Sequence, residues 1–362
     1  MLYKQTKNLF LSFDNVIMHK GLIKLILLFI LLFPVSLKAQ RGGDAVYEFL
    51  NLTNSARVAA LGGNQVGISD NDLNFVFHNP AALTDTVSNY LTFNYIPYFA
   101  DINYGYAAYA RSFDKVGTFS AGIHYINYGD FDRADEYGII NGTFSAAEYA
   151  ILLTYSRQLS KRFNAGITFK PIISNFESYH SFGLAFDIGF MYTSKNQLFN
   201  MGLTLKNFGS QITTYNETME PLPTDLQAGM SIKLAHAPFR FYITAQDLLH
   251  FDLTYDLPDD EDTPPTEFDE DSSGFGDKFM RHTIFGFEFS PSRNFYVSAG
   301  YNHRRRKELV VDAKASTVGF SWGFGFRVYK FRFAYGSARY HLAGSSNHFS
   351  ISTNLSSFGG GR

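Results

Sequence analysis

From about Tyr90 to the C-terminus, apolar and small or polar residues alternate with period two. The clearest run is 318–328. There Val318, Phe320, Trp322, Phe324, Phe326 and Val328 fall on one face, and Gly319, Ser321, Gly323, Gly325 and Arg327 on the other. Residues 182–192 repeat it, with Phe182, Leu184, Phe186, Ile188, Phe190 and Tyr192 against Gly183, Ala185, Asp187, Gly189 and Met191. Alternation of this kind predicts strands with two unlike faces. Fourteen such segments are expected, at 89–96, 103–113, 117–127, 147–158, 163–175, 180–193, 199–208, 225–234, 239–250, 282–290, 294–303, 316–328, 330–340 and 347–356. Most exceed the roughly five to six residues of an ordinary soluble strand and match the ~10 of a tilted membrane strand.

The connections alternate in length. Those at 114–116, 159–162, 194–198, 235–238, 291–293 and near 329 are short, whereas 128–146, 209–224, 251–281 and 304–315 are long; two positions in the long series, near 97–102 and 176–179, are short as well. Outer-membrane barrels have short periplasmic turns and longer outer loops. The expectation is therefore an all-β, fourteen-stranded antiparallel transmembrane barrel over 89–356, with a short tail at 357–362. An even strand number leaves both chain ends on the short-turn side, which is periplasmic in this reading.

Inside such a barrel the second face would line the lumen. It is mostly Gly, Ser, Thr and Ala, with isolated charges at Lys170, Asp187, Lys206, Lys233, Arg240, Glu288, Arg327 and Arg332. Fourteen strands enclose more space than these side chains fill, so something must occupy it. Residues 40–88 lack strand alternation and are the expected plug. Ser55 to Gly63 reads as a short helix stopped by Gly62 and Gly63, and Asn79-Pro80-Ala81 as a turn opening a second helix with Pro80 at its first position.

The N-terminal region adds an export signal. Lys20 and Lys24 precede the apolar run Leu25–Phe33, Pro34 breaks it, and Ala39 is a suitable last residue before cleavage. That run is shorter than the ~20 residues a spanning helix needs. Residues 18–39 are thus expected to be a signal peptide, with translation starting at Met18 and residues 1–17 a mis-assigned start.

Composition narrows the function. Of 362 residues, 38 are Phe, 23 Tyr and 30 Gly, and none is Cys. Zero cysteine excludes disulfides, thiolate metal sites and cysteine nucleophiles. The formal charge of −2 lacks the basic excess of a general nucleic-acid binder. No metal-ligand histidine spacing and no Gly-x-Ser-x-Gly elbow is present, so the chain reads as no enzyme, with no catalytic residues and no cofactor.

Two charged segments are candidate contacts. Residues 256–277 carry ten carboxylates and three prolines, in an outer loop. The ordinary reading is a solvated loop. Asp259, Asp260, Asp262, Asp269 and Asp271 are weak calcium candidates, because no Asp-x-Asp-x-Asp-Gly loop with a closing Glu is formed. Asp259, Glu261 and Glu270 are candidates for docking a partner. His303-Arg304-Arg305-Arg306-Lys307 stands at the outer end of the eleventh strand. Arg304, Arg305 and Arg306 could pair with those carboxylates, bind lipopolysaccharide phosphates, or remain solvated.

A resemblance gathers several of these segments. Gly43–Leu50, then Ser55-Ala56-Arg57, Ala60-Leu61-Gly62-Gly63, Val66–Asp70 and Asn79-Pro80-Ala81 together resemble the PorV/PorQ group of FadL-like barrels in the type IX secretion system. The resemblance runs from about residue 41 to the end, since a FadL-like barrel also has fourteen strands. It implies a membrane anchor that holds a PorZ-like surface protein, alongside PorU- and PorV-like components, in a complex attaching exported proteins to surface lipopolysaccharide. Wider FadL-like architecture implies the alternative, a transporter of hydrophobic small molecules.

Overall fold

The structure is a computed structural model, which describes residues 45–253, 274–309, 317–341 and 344–358. The expected start at Met18, the signal peptide and the acidic residues Asp259, Asp260, Glu261, Asp262, Asp269, Glu270 and Asp271 lie outside the described residues.

Fourteen strands form one closed antiparallel barrel. They are β1 (Tyr90–Pro97), β2 (Asn103–Phe113), β3 (Gly117–Ala134), β4 (Ile140–Ser160), β5 (Phe163–Phe176), β6 (Tyr179–Thr193) and β7 (Phe199–Thr213). The second half is β8 (Asp225–Lys233), β9 (Phe239–Ala245), β10 (Thr283–Ser292), β11 (Phe295–Asn302), β12 (Phe320–Val328), β13 (Phe331–His341) and β14 (Gly344–Asn354). Each strand pairs with its sequence neighbour, and β1 closes the ring on β14 in register from Tyr90↔Asn354 to Tyr95↔Phe349. Closure removes the open edge that lipid could not satisfy.

The two faces separate as the alternation requires. Phe93, Leu153, Phe190 and Trp322 stand 48–54% exposed on the outside. Their neighbours Thr92, Leu152, Gly189 and Ser321 are turned inward and buried. A continuous belt of exposed Phe, Leu and Ile is far larger than the apolar patch a soluble surface normally carries. Lipid is the solvent that suits it, and the chain is a membrane-spanning barrel of the outer-membrane type. Among the described residues no helix is long and apolar enough to cross a membrane.

Several boundaries differ from the expectation. β3 and β4 continue as a hairpin through much of the expected 128–146 loop, paired from Asp130↔Ser145 to Ala134↔Ile140. Both faces of that extension are largely exposed, so the in–out pattern that marks a wall strand is absent there. β9 stops at Ala245, because the chain turns through Asp247 at φ 55°. Val318 is not part of the outer stripe. Gly319, at φ +86°, turns the chain ahead of β12 and leaves Val318 fully buried. Two short helices stand where loops were expected, α2 (Phe275–Arg281) and α3 (His303–Leu309).

Residues 45–88 occupy the lumen. They contain one α-helical turn, α1 (Ala56–Ala60), and 3₁₀ turns at Glu48–Asn51, Leu73–Phe77, Pro80–Ala82 and Asp85–Val87. This is more broken than the two helices expected. Turns this short bury their backbone only against the wall, and from Thr53 to Gly67 every residue is buried.

Candidate functional site

The plugged lumen is the candidate site. The plug begins at the long-loop end, where the Val46 amide donates to the Pro221 carbonyl at 2.9 Å. The Tyr47 hydroxyl bonds Ser181, and the Phe49 ring stacks on His124 with centroids 5.7 Å apart. An apolar cluster lies beside these polar groups. Tyr47, Phe49 and Leu50 pack with Tyr104, Ile126, Ile172 and Leu222 in one buried cluster.

Deeper in, an ionic cluster joins plug to wall. The Arg57 guanidinium lies 2.8 Å from Glu288 on β10, 2.9 Å from Asp70 and 3.3 Å from Asp72. Rings of Phe75 and Tyr296 flank it at 5.0 Å each. Asp70 also pairs with Arg240 of β9 at 3.1 Å, and Arg332 of β13 donates to the Asn71 carbonyl at 2.9 Å. Burial opposes the charge on Arg57, but Asp70 and Glu288 outweigh it and hold the guanidinium firmly protonated. Burial likewise opposes ionisation of Asp70, yet Arg57 and Arg240 keep its carboxyl below the usual range. A third anchor involves β5, β6 and β7. Lys170 pairs with Asp187 at 2.6 Å and donates to Asn207 at 2.9 Å. Lys170 and Lys206 both face the Phe77 ring, at 5.7 and 5.0 Å.

The sequence motif residues are structural. Gly62 and Gly63 adopt φ 104° and 101°, and the Gly63 amide closes α1 on the Val58 carbonyl at 2.9 Å. The Asn79 side chain accepts from the Ala81 amide at 2.9 Å and donates to Val66 and Phe190 carbonyls at 3.0 and 3.2 Å. Pro80 sits at the first position of its turn, so its missing N–H costs nothing there. A methyl group at Gly202 would fall on the Val66 carbonyl oxygen, far inside contact distance. Inward glycines therefore let the plug backbone touch the wall.

The basic run at the long-loop end is shared among several partners. Arg304 pairs with Asp247 at 2.8 Å and Glu308 at 2.6 Å. Arg305 donates to the Gly62 carbonyl at 3.3 Å, and Arg306 to that of Val318 at 3.3 Å. His303 and Lys307 reach Asp277, at 3.0 and 3.6 Å. Asp277 is thus the one carboxylate of the acidic run seen with a basic partner from this segment among the described residues. Partial burial pushes its carboxyl up, but hydrogen bonds from His303 and Arg281 prevail and hold it at about 2.

Two cavities open at the short-turn end, of about 800 Å³ and 340 Å³. Asp70, Asn71 and Lys233 line both.

No known protein-family model matches the chain, and no curated protein matches it. Among solved structures, it is similar to the toluene transporter TodX of Pseudomonas putida, with 11% identity and a TM-score of 0.47, covering 83% of this chain and 97% of that one. It is also similar to a FadL homologue of Pseudomonas aeruginosa, with 9% identity and a TM-score of 0.46, covering 84% and 98%. The KdgM porin aligns with a TM-score of 0.32 and 4% identity, over 74% of this chain and 99% of that one. At such identities no residue here takes a role from theirs.

The lumen charges were readable as lumen-facing, but their partners were not. Arg57 and Asp70 fell within the resembling series without a role attached to them, and Asp72 lay outside it. The available signal was a lone Arg among four acids in residues 45–88, Glu48, Asp70, Asp72 and Asp85, against Glu288, Arg240 and Arg332 on the wall.

Proposed function

We propose that this barrel passes hydrophobic small molecules across the outer membrane, with residues 46–50 as the gate. One observation carries this reading. A buried apolar cluster sits at the long-loop end of the lumen among polar groups such as His124, Glu148 and Ser181, and the chain's own Tyr47, Phe49 and Leu50 form part of it. A water-filled porin has a polar interior. An apolar cluster closed by the first residues of the plug suits an apolar cargo that displaces them. Polar contacts of the segment include the Val46 amide, the Tyr47 hydroxyl and the His124–Phe49 carbonyl bond of 3.1 Å. The ionic cluster below it would hold the rest of the plug in place. The work is binding and passage, without covalent chemistry.

The test is equilibrium binding of a long-chain hydrocarbon probe to detergent-purified protein. Replacing Tyr47, Phe49 and Leu50 by Ala empties the pocket, so affinity should rise by about tenfold or more, because closure reduces the competent fraction. Absence of binding in both proteins would reject transport.

The second reading is the surface anchor implied by the PorV/PorQ-like residues, with a PorZ-like protein as partner and lipid and lipopolysaccharide around it. It is favoured by the inward-committed arginines and the seated plug, which make a rigid long-loop end. Recovery of a large surface protein in near-equal amount from mild detergent, with no bound hydrocarbon, would decide for it.

A further inference from the structure

We infer that the short-turn mouth of the barrel is a docking site for an acidic, extended peptide segment of another protein. The larger cavity there is lined by Lys115, Arg157, Lys161, Arg162 and Lys233. The smaller adds Arg293 and Arg327. None of these seven has a carboxylate within ion-pair distance among the described residues. The acids lining the same space are few. Asp70 and Glu288 are already held by Arg57 and Arg240. Asp85 and Asp114 remain. The mouth therefore carries a clear excess of unpaired positive charge.

The long-loop end has the opposite balance. Basic residues there pair with local acids, Arg133 with Glu177, Lys278 with Asp252, Arg281 and Lys307 with Asp277, and Arg304 with Asp247 and Glu308, and its further described acids include Asp130, Asp132, Asp135, Glu136, Glu217 and Glu220. A formal charge of −2 for the chain hides this separation. Like charges crowded round one mouth repel, so holding them there costs stability unless a counter-charge is bound.

The spread of the charges selects the ligand. They run from the β2–β3 turn to the end of β12, nine strand steps apart at about 5 Å each, or on the order of 45 Å of rim. A phosphate or a small dicarboxylate satisfies two or three neighbouring cations and leaves the rest. An extended peptide of about twelve residues spans ~40 Å and can meet most of them in turn. The cations line the cavities rather than the outer belt, which favours a segment entering the mouth over lipid headgroups around it. This inference does not depend on hydrophobic transport. Only the compartment supplying the segment, the periplasm, rests on the proposed orientation.

The experiment uses the full chain in nanodiscs of zwitterionic lipid. The probe is a fluorescent twelve-residue peptide alternating Glu and Ser, with a Lys/Ser peptide as control, read by anisotropy. The acidic peptide should bind, weaken steeply with added salt, and lose about tenfold or more in affinity in the triple variant Lys233→Gln, Arg293→Gln, Arg327→Gln. Arg133→Gln, at the opposite end, should leave it unchanged. Equal binding of both peptides, or an unaffected triple variant, overturns the site. So does displacement by glycerophosphate at equal charge concentration, which would assign the rim to lipid headgroups. Sealed outer-membrane vesicles separate site from orientation: binding that appears only after rupture supports both. Binding to intact vesicles that the triple variant abolishes keeps the site and reverses the orientation.

Discussion

Arg57 shows how much a single side chain can hold here. It is the cation shared by Asp70, Asp72 and Glu288, nearly all of it out of solvent. Removing one member of a buried ionic group strands the others, at a cost of about 3–5 kcal/mol. Arg57→Ala should therefore lower stability by that order in urea unfolding of the detergent-solubilised protein. Replacing Arg57 and Glu288 together by Met should recover part of the loss, because fewer charges are left unpaired. His78 supplies the pH dependence at this scale. Its ring nitrogens lie 2.9 Å from the side chains of Asn64 and Asn54. Burial, then the nearby Lys206 and Lys170, push its imidazole well below the usual value. The unfolded chain takes up that proton below pH ~6.5 while the folded plug does not, so stability falls as pH falls, by up to about 1.4 kcal/mol per unit. Unfolding midpoints at pH 7.5 and 5.5 should differ less in His78→Gln than in the parent.

At the scale of elements, the wall was legible and the plug much less so. Period-two alternation is produced by burial on one face and lipid on the other, so strands such as β6 and β12 announce themselves through Phe190 and Trp322 against Gly189 and Ser321. Where that contrast ends, so does the signal, which is why the β3–β4 extension read as a loop. The plug contacts wall on all sides and has no face to mark. Its start and stop residues, Gly62, Gly63, Asn79 and Pro80, were visible because local backbone geometry demands those types. The Arg57 cluster was hidden because its members are brought together by packing across 231 residues of chain, from Arg57 to Glu288. The wall's inward glycines carry the fit between the two elements. Gly202→Ala should cost about 1–3 kcal/mol by overpacking, and should raise the rate at which added protease cuts within residues 60–70 while the strands stay resistant.

For the whole molecule, everything rests on one ring. Closure turns the outside into a lipid-facing belt and the inside into a container for residues 45–88, and the antiparallel order of the strands puts the basic mouth and the long loops at opposite ends. The seam between β1 and β14 is where that claim is most exposed, since these strands are neighbours only if the sheet closes. Phe93 and Ile351 face each other across it. Paired antiparallel residues have Cα atoms about 4.5–5.5 Å apart, within the ~4.4–6.8 Å that a disulfide spans, and the chain has no cysteine of its own to interfere. The measurement is oxidation of a Phe93→Cys, Ile351→Cys variant in isolated outer membranes, followed by denaturing electrophoresis. A closed barrel gives near-complete intramolecular cross-linking, seen as a reducible fast-migrating band. An uncross-linked monomer, or cross-links only between chains, would mean that the sheet is open.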